Sequence, residues 1–123
     1  MSWEISGQRI PLKAGADLST HQFKVVYASD ANTVALATDR ASHMPLGILQ
    51  NKPDTGQAAD IMISGISKAV AGDSISVGAN LSFDTYARVV TTPGDGYFWV
   101  GTALEAASAA DEVIPVLIRI FKA

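Results

Sequence analysis

The chain has 123 residues, enough for one domain with its own core and too few for a second of ordinary size. Apolar residues make up 48% of it but charged ones only 17%, below the roughly 25% of typical soluble domains, so part of its surface is expected to lie against a partner. Nine basic against twelve acidic side chains leave a net charge of −3 without any basic run, which argues against nucleic-acid binding, and the lack of cysteine excludes disulfides, zinc ribbons and thiol nucleophiles.

Residues 1–16 read as an extended N-terminal arm, because Pro11 and Gly15 deny the segment a long helix. Its opening residues have no basic stretch followed by an apolar one, so no signal peptide is expected. Trp3, Ile5, Ile10 and Leu12 need burial, either in the domain's own core or on a neighbouring subunit. Asp17 is a plausible N-cap for one helical turn over Asp17–Gln22. Phe23–Ala28 is rich in β-formers, Ser29–Asn32 reads as a turn, and Thr33–Ala37 completes a hairpin. Strands are expected at Leu46–Gln50, closed by the turn Asn51–Gly56, and at Ala59–Ser64, where Ile61 and Ile63 alternate with Asp60 and Met62. Gly65 reads as a bulge before a strand at Ile66–Val70.

After a turn at Ala71–Asp73, Ser74–Gly78 reads as a second helical turn. Asn80–Phe83 and Arg88–Thr92 flank a four-residue hairpin loop, and Thr92–Gly96 is another sharp turn. Tyr97–Leu104 opens on three aromatics and reads as a central strand, with Tyr97 and Trp99 on one face and Phe98 on the other. Glu105–Asp111 is alanine-rich and suggests a short helix. Ile114–Phe121 closes the sheet, with Pro115 implying an edge or bulge at its start. Leu46–Gly47 with Ala59–Ile61 is echoed by Val100–Gly101 with Ala110–Glu112, which reads as two similar hairpins in one barrel. The expected architecture is mostly β: a small single-domain antiparallel barrel or sandwich over 17–123, with one or two short helical turns and the arm 1–16. No apolar run approaches the roughly 20 residues of a membrane helix.

No enzyme signature emerges. His21 and His43 have no second ligand at metal spacing. Ser64 and Lys68 are four apart in a segment that reads as strand, roughly 13 Å along the chain, too far for a Ser–Lys pair. Gly72-Asp73-Ser74 lacks the ending of a phosphate-binding loop, and Asp54, Asp84 and Asp95 occupy turn sequences without calcium-loop spacing. Glu105 and Glu112 read as solvated. Neither a cofactor nor a metal is expected.

Three stretches carry a resemblance. Leu46-Gly47-Ile48-Leu49-Gln50-Asn51-Lys52-Pro53, followed by Gly56 and Ala58, is one; Ser64-Gly65-Ile66-Ser67-Lys68-Ala69-Val70-Ala71-Gly72-Asp73-Ser74-Ile75, with Gly78, Leu81, Asp84 and Arg88-Val89-Val90, is the second. The third is Val100-Gly101-Thr102-Ala103-Leu104-Glu105-Ala106-Ala107-Ser108-Ala109. Together, over about Asp17–Ile118, they resemble the capsid cement, or head decoration, proteins of tailed bacteriophages. Tyr86-Ala87 and Ala110-Asp111-Glu112 depart from the family's habit of placing glycine in those loops. The resemblance implies a β-tulip-like protein made in the bacterial host cytoplasm. It implies a homotrimer on the outer surface of the expanded virion head that bridges major capsid protein subunits, with no nucleic-acid or membrane partner. Trp3, Ile5, Arg9, Ile10 and Leu12 of the arm, with Tyr97 and Trp99, are the expected capsid or subunit contacts. A tail, fibre or baseplate accessory and a host-surface or carbohydrate-binding module, with Trp99 as its candidate aromatic, are the competing classes.

Overall fold

A computed structural model describes residues 5–92, 94 and 96–122. Eleven strands follow one another: β1 (Ile5–Ser6), β2 (Arg9–Ala14), β3 (Val25–Asp30), β4 (Thr33–Leu36), β5 (Pro45–Leu49), β6 (Ala58–Met62), β7 (Gly65–Val70), β8 (Asn80–Phe83), β9 (Val89–Thr91), β10 (Phe98–Ala103) and β11 (Val113–Lys122). Five of them close a barrel in the order β2-β4-β3-β5-β6, and six form a second sheet in the order β1-β7-β11-β10-β8-β9. The two echoed hairpins therefore sit in different layers, β5–β6 in the barrel and β10–β11 in the sheet. Strands pair antiparallel except at the barrel seam, where Lys13 and Ala14 of β2 run parallel to Thr33 and Val34 of β4; a single parallel bridge also joins Ala71 to Val89.

Alternation explains how the layers stack. In three barrel strands, neighbouring residues send side chains to opposite faces: Val26, Leu49 and Ile61 join one buried cluster with Val34 and Leu18, while Val25, Ile48 and Met62 join another. The second cluster is completed by Leu81, Phe83, Val100 and Val116 of the six-stranded sheet, so it lies between the layers. One core was expected from composition; closing the barrel creates two. Gln50 ties the layers through buried polar contacts, its Nε2 donating to the Ile48 carbonyl (2.9 Å) and to Ser67 Oγ (2.8 Å).

No helix occurs among the described residues, which corrects the expected helical turns. Around Asp17–Gln22 the carboxylate accepts the Ser19 N–H and His21 N–H bonds back to Leu18 in a single turn, but Leu18 N–H goes to Pro53 across the barrel and Phe23 takes φ 67°. Residues 74–78 and 105–111 satisfy each other instead of themselves. Ile75 and Ala107, both buried, exchange two backbone hydrogen bonds of 2.9 Å. Gly65, at φ 92°, is the corner where the chain leaves the barrel for the sheet. Pro115 sits in a central strand, not at an edge; its missing N–H falls opposite Leu104, just past the end of β10, where Leu104 N–H still bonds to the Pro115 carbonyl.

Residues 5–14, read as an arm, are hydrogen-bonded into both layers. β1 pairs with β7, and β2 pairs with β6 over five residues from Arg9↔Met62 to Lys13↔Ala58. Ile10 and Leu12 pack against the barrel cluster.

Near the barrel mouth, burial and then the Lys24 ammonium push the His21 pKa below its ordinary value, and Lys24 Nζ donates to its Nδ1 at 3.1 Å. The fold thus holds the neutral ring, whereas the unfolded chain takes up a proton near pH 6.5. Stability is expected to fall as pH drops below about 6.5, because the unfolded state then binds more protons. Urea midpoints at pH 7.5 and 5.5 should differ more for the wild type than for His21→Gln; equal differences would remove His21 as the cause.

Candidate docking surface

β11 runs through the middle of the six-stranded sheet between β7 and β10. Ile114, Val116, Ile118 and Ile120 face the barrel, so the alternate residues face away from it. On that outward face the register sets apolar side chains across from one another: Val113 with Val70, Leu117 with Ile66, Phe121 with Trp99. None of these six belongs to either core cluster. Phe121 is 40% exposed and Val113 38%. The Trp99 and Phe121 rings lie 4.5 Å apart, tilted by 43°. Trp99 Nε1 is buried yet has no hydrogen-bond partner, an arrangement that costs roughly 1–3 kcal/mol while the donor stays unpaired.

The electrostatics of this layer oppose those of the chain. Its six strands contain no Asp or Glu, but hold Lys68, Arg119 and Lys122. They carry +3 in a protein of −3, which leaves −6 for everything else. Lys68 and Arg119 stand at outward positions, Lys68 opposite Pro115 and Arg119 between Leu117 and Phe121.

A second concave region lies where the 38–44 loop meets the β8–β9 hairpin. It is a cleft of about 290 Å³ whose lining includes Asp39, Arg40, Phe83, Thr85 and Tyr97. His43 pins this loop: its Nδ1 accepts the N–H groups of Thr38 and Asp39 at 3.2 Å each, and its ring stacks on Tyr27 at 3.9 Å. The Ala41 N–H and then the Ser42 hydroxyl hold the Asp39 carboxyl below the usual range. Asp84 takes part in an ion-pair chain, Arg88 reaching both it (3.0 Å) and Asp111 (3.1 Å). Both carboxylates of the chain are thus engaged by Arg88, and among the described residues no three His, Asp or Glu gather as a metal site.

The expected contact residues are scattered over the fold. Trp3 lies outside the described residues. Ile5 is in β1, opposite Ile66 at the border of the outward face. Arg9 pairs with Asp60 at 2.9 Å on the barrel's outer wall, while Ile10 and Leu12 turn inward to its core. Tyr97 and Trp99 do not share a strand face, because β10 starts at Phe98; Tyr97 sits in the cleft under the Arg40 guanidinium, 4.9 Å from its ring centre. Ile66, Leu117, Phe121, Lys68 and Arg119 escaped the sequence reading. The signal that finds them is the lack of any acid in Gly65–Val70 and Val113–Lys122, together with apolar residues at both parities.

A sequence model of phage cement proteins matches residues 5–119. The chain belongs to the phage cement protein family. Among solved structures, this cement protein is similar to the head fiber gp8.5 N base of bacteriophage phi29, with TM-score 0.71 and 16% sequence identity over 94% of this chain and 97% of that one. At that identity the likeness is one of fold, and it spans both layers. The comparison with curated proteins finds no match.

Proposed function

We propose that this cement protein binds the outer surface of the expanded icosahedral head as a homotrimer and stabilises it by bridging major capsid protein subunits, acting by binding and not by catalysis. The observation that carries this reading is the family match over residues 5–119. The outward apolar residues of the six-stranded sheet support it: they lie outside both core clusters, with Val113 and Phe121 exposed, and such a face on a small domain marks a surface that a partner covers. A ligand that binds only the expanded shell stabilises that shell by mass action, by about 2.7 kcal/mol per site at a hundredfold excess over Kd. Many copies engaged on one lattice multiply the effect without any covalent step. Synthesis in the host cytoplasm suits a chain with no cysteine.

The test is co-sedimentation of the purified protein with expanded heads and with proheads that lack it. Binding to expanded heads, together with a higher temperature of DNA release from them, is expected. Equal binding to both particles would contradict stabilisation of the expanded state, and no binding to either would end the reading.

A further inference from the structure

Resting on that reading, we propose that the outward face of the six-stranded sheet is the capsid-docking surface, and that it takes an acidic, apolar-edged strip of a shell protein. Two observations converge on this face. Its apolar cross-strand pairs, Ile66 with Leu117 and Trp99 with Phe121, are outside both core clusters, so nothing in the chain's own core packing uses them. Its strands hold no acid and set Lys68 and Arg119 outward, in a chain of net charge −3, so an acidic partner is attracted to this side.

The same charge pattern selects the occupant. A second copy packed face to face would set Lys68 and Arg119 against cations of their own kind, an arrangement that disfavours association. An acidic strip pairs with both cations while its apolar edge covers Leu117 and Phe121.

The experiment compares head binding by the wild type, Arg119→Glu, Trp99→Phe and, as a control on the barrel wall, Lys13→Glu. Each is first checked by thermal melting and by its mass in solution. Arg119 and Lys13 are exposed, and the Trp99→Phe change keeps an apolar ring, so all are expected to fold. Arg119→Glu is expected to weaken binding to expanded heads by roughly tenfold or more at low salt, and to abolish the loss of affinity that the wild type shows as salt is raised. Trp99→Phe should weaken binding severalfold at every salt concentration, because it trims the apolar ring that packs on Phe121 and leaves the charges. Lys13→Glu should bind as the wild type does. Unchanged head binding by both Arg119→Glu and Trp99→Phe, with the wild type bound, would overturn this surface and leave the cement reading standing. A variant that changes the oligomer mass but not head binding would overturn it too, by making the face a contact between copies. Failure of the wild type itself to bind heads would instead strike the functional reading.

Discussion

Replacing Gly101 with alanine is expected to lower the melting temperature by roughly 10 °C, corresponding to about 3 kcal/mol, the upper end of overpacking costs. A Cβ at Gly101 would stand 2.1 Å from the Leu117 carbonyl oxygen and 3.0 Å from Val116 Cγ1. The nearest obstacle is backbone of the neighbouring strand, so no side chain can swing aside to relieve it. β10 and β11 also shift register between Trp99 and Gly101, and the close approach at Gly101 is where the ladder resumes, at Gly101↔Ile118. Pushing the strands apart there would separate Trp99 from Phe121 and disturb the docking face along with the core. Gly47 repeats the arrangement in the barrel, with a Cβ position 2.2 Å from the Met62 carbonyl oxygen. The two echoed Gly-containing strands thus share a physical cause, although they lie in different layers. Differential scanning calorimetry of Gly101→Ala decides the matter; a melting temperature within about 2 °C of the wild type would show that the ladder yields freely.

Deletion of residues 1–12 is expected to abolish cooperative unfolding. It removes β1 and the Arg9–Leu12 part of β2, leaving only the two residues that pair with β4. β6 would lose its partner along most of its length, and the cluster of Val26, Leu49 and Ile61 would lose the cover of Ile10 and Leu12. Losing a fully buried large side chain costs about 2–5 kcal/mol and a half-buried one such as Ile10 or Leu12 part of that, added here to the lost β2–β6 ladder and set against a total stability of about 5–15 kcal/mol for a domain. Circular dichroism during heating would read the result, and a sharp transition near that of the full-length protein would show that β2 is dispensable. If the deletion unfolds the chain, the docking of its first residues has to be tested by point substitution, since a truncated protein that fails to bind heads reports only the loss of its fold.

The strands were legible in the chain because alternation and turn residues are local signals. The hairpin loop between Phe83 and Val89 behaves as its sequence implies, with Asp84 N–H bonded to Arg88 and its carboxylate accepting the Tyr86 and Arg88 amides. The helical turns failed for a non-local reason. Asp17–Gln22, Ser74–Gly78 and Glu105–Asp111 look helical when their amides are assumed to bond within each segment, yet Ile75 and Ala107 bond to each other across 32 positions and Leu18 bonds to Pro53. Tyr97 was paired with Trp99 by the alternation of an assumed strand; starting β10 one residue later, with the Phe98 amide bonded to the Arg40 carbonyl, sends the two rings to different regions.

Residue types and their alternation establish a β protein with low charge, no cysteine and apolar side chains beyond the needs of a single simple core. They also reveal the acid-free strands, since Gly65–Val70 and Val113–Lys122 hold only cations among their charges. Where the surplus goes is set by long-range packing. A strand's alternation defines two faces but not which neighbour covers each, and that choice depends on contacts between residues far apart in the chain. The barrel closed over Ile10 and Leu12 and buried one face of the six-stranded sheet, leaving Trp99, Leu117 and Phe121 outside both cores on the other.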